Sequence, residues 1–121
     1  MTADELKLRT KQFALRVIRL VAALPKTIEG RAIANQLVRC ATSVAANYRS
    51  ACRARSRCEF VAKMGVVLEE ADETQLWLEL IVESKLLPVK RVEPLLEAAN
   101  ELVAIFVTSR KSASSNLRST M

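Results

Sequence analysis

The sequence predicts an all-α protein that folds as an antiparallel, up-down-up-down four-helix bundle. The 121 residues include only two Gly and three Pro, and they are rich in Ala, Leu, Glu and Arg, which is a helical composition. Apolar residues recur at spacings of three and four along four successive stretches. Because the links between these stretches are short, we expect consecutive helices to be antiparallel neighbours around the bundle.

The first helix is predicted over residues 3–24, before Pro25, and it carries two apolar stripes. The inner stripe consists of Leu6, Phe13, Val17, Leu20 and Leu24. The second stripe lies roughly opposite and consists of Leu8, Leu15, Ile18 and Ala22. A monomeric surface helix needs only one apolar face, so the second stripe predicts contact with a further layer or another subunit, and hence a homo-oligomer.

The second helix is predicted over residues 28–53, and small side chains dominate its inner face. The contact positions are Ala34, Ala41, Ala45 and Ala51 together with Ile33, Leu37, Val38, Cys40, Val44 and Tyr48. Alanine at contact positions lets a neighbouring backbone approach closely, which suits a tight bundle and a protein–protein interface alike. We interpret Gly30 as part of a frayed first turn.

The last two helices are predicted from their start signals. Ser56 and Glu59 form an S-x-x-E capping box, which predicts a third helix over residues 57–84. Pro94 fits the first turn of a fourth helix over residues 92–111. These four helices make up one domain, residues 1–111. The remainder, residues 112–121, is Ser/Thr-rich and basic without apolar periodicity, so we predict a disordered tail.

Charge is distributed unevenly along the chain. Residues 25–58 contain seven basic side chains and one acidic one, whereas residues 59–84 contain seven acidic side chains and one basic one. The second and third helices should therefore carry opposite charge. Their faces could attract each other, or they could point outward toward different partners.

Arginines at steps of three and four form ridges on the first two helices, and further arginines follow at the second corner. The candidate nucleic-acid-binding residues are Arg9, Arg16, Arg19, Arg31, Arg39, Arg49, Arg53, Arg55 and Arg57. Guanidinium groups offer planar donor forks that suit phosphate, and the net charge is +6, so RNA or DNA is a plausible partner. The alternative interpretation is that these arginines pair with carboxylates of the third helix or of another subunit.

The sequence offers little for catalysis, so we expect no enzymatic activity, no cofactor and no metal. It contains no histidine and no Gly-rich phosphate loop. Glu69, Glu70, Asp72 and Glu73 could form a metal site, but bundle di-iron proteins use E-x-x-H pairs, which are missing here.

Several other polar and sulfur-containing residues are assigned structural roles. Asn47, Glu73 and Trp77 lie on or beside core stripes, where a buried hydrogen bond would fix the helix register. Cys40, Cys52 and Cys58 form no closely spaced pair, and we interpret them as buried small apolar residues.

A cytoplasmic location and no contact with a membrane are expected. No apolar run approaches the ~20 residues that cross a bilayer. The N-terminus carries Asp4 and Glu5 where a signal peptide would carry basic residues.

Three sequence strings resemble a known family. They are QLVRCATSVAAN (residues 36–47), EF (residues 59–60) and ETQLWL (residues 73–78). These strings are similar to those of the four-helix-bundle proteins encoded in intervening sequences of bacterial 23S ribosomal RNA genes, and the likeness covers about residues 5–111. The same family includes the accessory variability proteins of diversity-generating retroelements, which are basic homopentamers that bind nucleic acid and a reverse transcriptase.

The resemblance implies an antiparallel four-helix bundle, a ring of five copies and no enzymatic activity. The positions that match the motif are Leu37, Arg39, Ala41, Ser43, Asn47 and Glu73, and they look mostly architectural. Two hypotheses of function follow. The protein either binds nucleic acid directly through its arginines, or it is an interaction scaffold or accessory subunit, for example of a reverse transcriptase, without such contact.

Overall fold

The computed structural model describes the backbone of residues 1–119 and the side chains of residues 1–116. It contains helices α1 (Ala3–Val21), α2 (Ile28–Cys52), α3 (Arg57–Glu83) and α4 (Val89–Ser119), and no strand occurs within residues 1–119. The all-α, four-helix prediction is confirmed. None of the helices in the described part of the chain is long and apolar enough to cross a bilayer.

Side-chain caps start the first three helices. Thr2 accepts a hydrogen bond from the Glu5 amide at 3.1 Å, and Glu5 accepts one in return from the Thr2 amide, which completes a capping box. At α3, Ser56 accepts from the Glu59 amide at 3.0 Å. The Glu59 carboxylate accepts from the amide of Arg55 rather than from that of Ser56, so only half of the predicted box forms.

The turn between α1 and α2 requires glycine at position 30. Gly30 is buried, and its amide donates to the Thr27 hydroxyl at 3.1 Å. A Cβ atom at this position would lie 2.1 Å from the Pro25 carbonyl oxygen. Gly30 is therefore needed for a close backbone approach, which corrects its interpretation as a marker of fraying.

Helix α4 is longer than predicted at both ends. It begins at Val89, so Pro94 lies inside the helix, beyond the first turn, and has no N–H to donate to the Lys90 carbonyl. It continues to Ser119, which corrects the predicted boundary at Lys111 and the disordered assignment of residues 112–119. No Gly or Pro occurs in this stretch, so nothing interrupts the established helix. Residues 120–121 of the predicted tail lie outside the described residues.

The helices form a closed cycle in chain order. Each packs against the next, and α1 also packs against α4, so α1 and α3 lie diagonally across the bundle. Contacts run in opposite order along α2 and α3: Arg39 of α2 reaches Glu73 of α3, and the later Ser50 reaches the earlier Lys63.

All four helices contribute to one apolar core. Its largest fully buried side chains are Phe106, Leu37, Met64, Leu78, Ile81 and Leu102. The rings of Tyr48 and Phe106 lie 5.9 Å apart between centroids and join α2 to α4. The predicted inner stripe of α1 is buried, so its second apolar stripe must point elsewhere.

Candidate nucleic-acid interface

The second apolar stripe of α1 is open to solvent in the single chain. Leu8, Leu15 and Ile18 are 56%, 42% and 44% exposed, and Ala22 is exposed as well. Exposed aliphatic side chains in a row are costly in water. We call this set the α1 stripe, and it remains a predicted oligomer interface.

The outward face of α3 combines apolar and acidic side chains. The apolar members are Val66, Leu76 and Leu80, and the exposed carboxylates are Glu69, Asp72, Glu79 and Glu83. We call this set the α3 face. Because α1 and α3 are diagonal in the bundle, the α1 stripe and the α3 face lie on opposite sides of the molecule.

Arg39 is neutralised within the chain, at the α2–α3 seam. Its guanidinium donates to Glu73 and, at 3.4 Å, to Glu70. Glu73 also accepts a hydrogen bond from the indole Nε1 of Trp77 at 3.3 Å. The contact with Arg39, and to a smaller extent that with Trp77, lowers the pKa of the Glu73 carboxyl below its ordinary value. For Arg39, pairing with the third helix is therefore the correct interpretation.

Lys63 and Thr74 make the other polar contacts of the seam. The Lys63 ammonium donates to Ser50 at 2.8 Å and pairs with Glu59 at 3.3 Å. The buried hydroxyl of Thr74 donates to the Cys40 sulfur at 3.2 Å and to the Glu70 carbonyl at 2.8 Å. Sequence reasoning did not single out Thr74, although a Thr on a core stripe signals a buried hydrogen bond.

The two residues assigned structural polar roles differ. Glu73 links α2 to α3 through Arg39, as a residue that fixes register should. Asn47 instead donates to the carbonyl and the hydroxyl of Ser43, one turn earlier in its own helix, at 2.9 and 2.7 Å. The predicted register role of Asn47 is therefore not what its contacts show.

The three cysteines are free and differ in exposure. Cys40 is buried, Cys52 is partly buried and Cys58 is exposed, so the prediction of burial is wrong for Cys58, which lies in the first turn of α3. Burial raises the pKa of the Cys40 thiol, which keeps it protonated and unreactive. Within the described side chains, no cluster of three or more His, Cys, Asp or Glu could hold a metal ion, including around Glu69 and Asp72.

Arg9 is also paired, with Glu101 of α4. The other seven candidate arginines are exposed, and their guanidinium groups make no ion pair with any described carboxylate: Arg16, Arg19, Arg31, Arg49, Arg53, Arg55 and Arg57. The fold thus leaves most of the predicted arginines available to a ligand.

Four of these free arginines gather at one corner of the bundle. Arg49 lies in the last turn of α2, Arg53 is its C-cap, Arg55 lies in the following loop and Arg57 begins α3. We call this set the basic corner. The four charges lie around the loop that connects α2 to α3, as the sequence predicted.

A second free group lies in the groove between α1 and α4. Arg16 and Arg19 of α1 and Arg91 of α4 line one end of this groove, a cavity of about 310 Å³ that also contacts Leu20, Pro94 and Leu95. Arg16 further lines the adjoining part of the groove together with Glu97 and Glu101. Sequence reasoning missed Arg91, because it follows Lys90 in the predicted loop before the fourth helix and belongs to no arginine ridge.

The comparisons with known proteins agree with this architecture. The model of one family, described as 23S rRNA-intervening sequence protein, matches residues 5–108. The chain belongs to this family. This confirms the family resemblance that was inferred from the three sequence strings.

A solved structure of similar fold supports the assignment. It is the crystal structure of a protein of unknown function from the S23 ribosomal protein family of Bacteroides thetaiotaomicron. The two chains are 29% identical, the match covers 92% of this chain and 99% of the other, and the TM-score is 0.83. Among curated proteins, none matches this chain.

Proposed function

We propose that this family member is a non-catalytic, cytoplasmic, basic homo-oligomer that binds the phosphate backbone of RNA or DNA. One observation carries the proposal: seven of the nine candidate arginines remain exposed and without a carboxylate partner. Guanidinium groups in this state form charge-assisted hydrogen bonds with phosphate, and binding releases counterions from the nucleic acid.

The aromatic residues indicate what kind of binding this would be. Tyr48 is buried in the core, and the indole N–H of Trp77 is bonded to Glu73. Neither residue offers an exposed ring beside the basic corner on which an unpaired base could stack, and Phe60, which lines a cavity with Arg57, is half-buried. Contacts would therefore be made to phosphate and would depend weakly on base sequence.

Charge reversal at the basic corner tests the proposal. Replacing Arg49, Arg53, Arg55 and Arg57 by Glu should abolish binding of an RNA or DNA oligonucleotide in a filter assay, while helicity measured by circular dichroism is unchanged. The matched control replaces Lys26, Lys85, Lys90 and Lys111 by Glu, which changes the net charge equally at exposed positions outside the basic corner and the α1 stripe. If both variants lose the same affinity, the effect is one of overall charge and the corner is not the site.

We further propose that antiparallel four-helix subunits assemble as a pentameric ring in which the α1 stripe packs on the α3 face of the next copy. The two surfaces lie on different sides of one subunit, as a head-to-tail interface requires, and such an interface closes into a ring when each copy is rotated by the right angle relative to the last. Both contain exposed aliphatic residues, and the carboxylates of the α3 face complement Lys11, which lies on the α1 stripe between Leu8 and Leu15.

Sedimentation tests the assembly. We expect a mass near five chains for the wild type, and a shift toward monomers when Leu15 and Ile18 are both replaced by Glu. The control is Ile28→Glu, because Ile28 is 91% exposed but lies outside the α1 stripe. A wild-type protein that sediments as a monomer would refute the interface.

A second candidate function is that of an interaction scaffold or accessory subunit, for example of a reverse transcriptase, without nucleic-acid contact. The acidic and apolar α3 face supports it, because such a surface suits a protein partner better than a nucleic acid. A reverse transcriptase gene beside this gene, together with the absence of oligonucleotide binding by the purified protein, would favour this alternative.

A further inference from the structure

We propose that the end of the α1–α4 groove lined by Arg16, Arg19 and Arg91 is a binding site for a single phosphate group. This inference rests on the proposed function and deepens it, since it names the chemical group that is bound and adds Arg91 to the interface. An internal phosphodiester and the terminal phosphate of a strand both present the required oxygen acceptors, and the second experiment below distinguishes these two sources.

The clustered positive charges at this end of the groove favour the binding of an anion. Three exposed guanidinium groups line one small cavity, and none pairs with a described carboxylate. Like charges held close together repel one another, so a shared anion lowers their free energy. Each guanidinium also supplies five N–H donors, which match the several acceptor oxygens of a phosphate.

The start of α4 adds to this positive potential. Asp4, Glu29 and Glu59 place acidic side chains in the first turns of α1, α2 and α3, where carboxylates offset the positive end of the helix dipole. The first turn of α4 has no acidic residue and contains Lys90 and Arg91 instead. The dipole and the side chains therefore act in the same direction at this point.

The walls of the groove limit the ligand to one phosphate. Leu20, Pro94 and Leu95 form an apolar surface beside the guanidinium groups and offer no side-chain donor to a second phosphate. In the adjoining part of the groove, Glu97 would repel a second phosphate, and Arg9 is already paired with Glu101. A strand that places one phosphate here must leave the groove rather than follow it.

Inorganic phosphate is the first probe, and its binding can be followed by the broadening of its ³¹P NMR signal. We expect saturable binding to the wild type and roughly tenfold or greater weakening in Arg91→Glu, which removes a charge-assisted contact. The matched control is Lys111→Glu, an exposed position on the same helix with the same charge change, far from the start of α4; it should weaken binding less than about threefold. Equal weakening in the two variants would overturn the site.

Single-stranded RNA with and without a 5′-phosphate identifies the source of the phosphate, with affinity measured by fluorescence anisotropy. Tighter binding of the phosphorylated strand supports capture of an end, and equal affinity supports an internal phosphodiester, provided that Arg91→Glu weakens binding about tenfold in either case. If the wild type binds RNA and the two variants bind it equally, the groove site is wrong and the proposed function stands. If inorganic phosphate binds in an Arg91-dependent manner but RNA does not bind, the site stands and the proposed function is wrong.

Discussion

Arginines occur at both the α2–α3 seam and the α1–α4 groove, but the two regions differ in whether the guanidinium groups have carboxylate partners. In the seam, Arg39 faces Glu70 and Glu73, and Glu73 is itself held by Trp77. In the groove, Arg16 and Arg91 have no carboxylate within ion-pair distance. Arginine thus ties two helices together where a carboxylate of the neighbouring helix lies within reach, as for Arg39 in the seam and for Arg9 beside Glu101. It remains a free donor where no described carboxylate does, as for Arg16 and Arg91.

The apolar core, rather than either charged region, should supply most of the stability. Phe106 is fully buried and packs on Tyr48, so Phe106→Ala should lower the free energy of unfolding by about 3–5 kcal/mol in a urea titration. Val107, its exposed neighbour, is the control, and Val107→Ala should cost less than about 0.5 kcal/mol. Similar losses in the two variants would show that the α4 packing is wrongly placed.

The buried hydrogen bonds of the seam should have the next largest effect. Thr74→Val keeps the shape but removes the donor to Cys40 and to the Glu70 carbonyl, and it should cost about 1 kcal/mol. Thr42→Val is the matched control, because Thr42 is less buried and bonds only within α2. If Thr42→Val proves the more destabilising change, the seam does not depend on Thr74.

Removing one arginine from each region compares them directly. Arg39→Met leaves Glu70 and Glu73 without their partner and should lower the thermal midpoint measurably. Arg16→Met removes no contact and should change the stability by less than about 0.5 kcal/mol while it weakens polyanion binding. The opposite pattern, with Arg16 needed for stability and Arg39 for binding, would reverse the assignment of the two regions.

Acid should weaken the seam through Glu73. Because the folded-state pKa of Glu73 lies below its ordinary value of 4.5, its contribution is complete above that value and is lost as the pH falls through the folded-state pKa. The stability advantage of the wild type over Glu73→Gln should therefore be largest near neutral pH and shrink below about pH 4.5. Urea titrations across this range measure it, and the pH dependence should be reduced in an Arg39→Met background. A constant advantage at every pH would contradict the ion pair.

The fold class and the family could be predicted from the residue pattern, but the interaction partner of each arginine could not. The stripes through Leu37 and Leu78 predict buried faces because helical periodicity is local. Whether an arginine meets a carboxylate depends on which residues of the adjacent helix face it, and the sequence does not specify these. Arg39 and Arg16 therefore look alike in the sequence and differ only in the folded structure. Arg91 gains its importance from the groove and not from its own segment.

Local composition also misled in two places. The Ser-rich end of the chain reads as a tail, yet α4 continues through it because serine does not stop a helix that is already formed. Asn47 lies beside a core stripe, but its amide has a closer partner in Ser43 of the same helix. In both cases hydrogen bonding within one helix decided the outcome, rather than the usual preference of serine for loops or of a core-facing asparagine for a partner on another helix.

The salt dependence of oligonucleotide affinity tests most directly whether the unpaired arginines bind phosphate. The logarithm of the binding constant should fall linearly with the logarithm of salt concentration, with a slope of roughly −3 or steeper if about four phosphates are contacted. Arg39→Met should leave this slope unchanged, since Arg39 is held by Glu70 and Glu73. An affinity that does not respond to salt would contradict phosphate binding by these arginines.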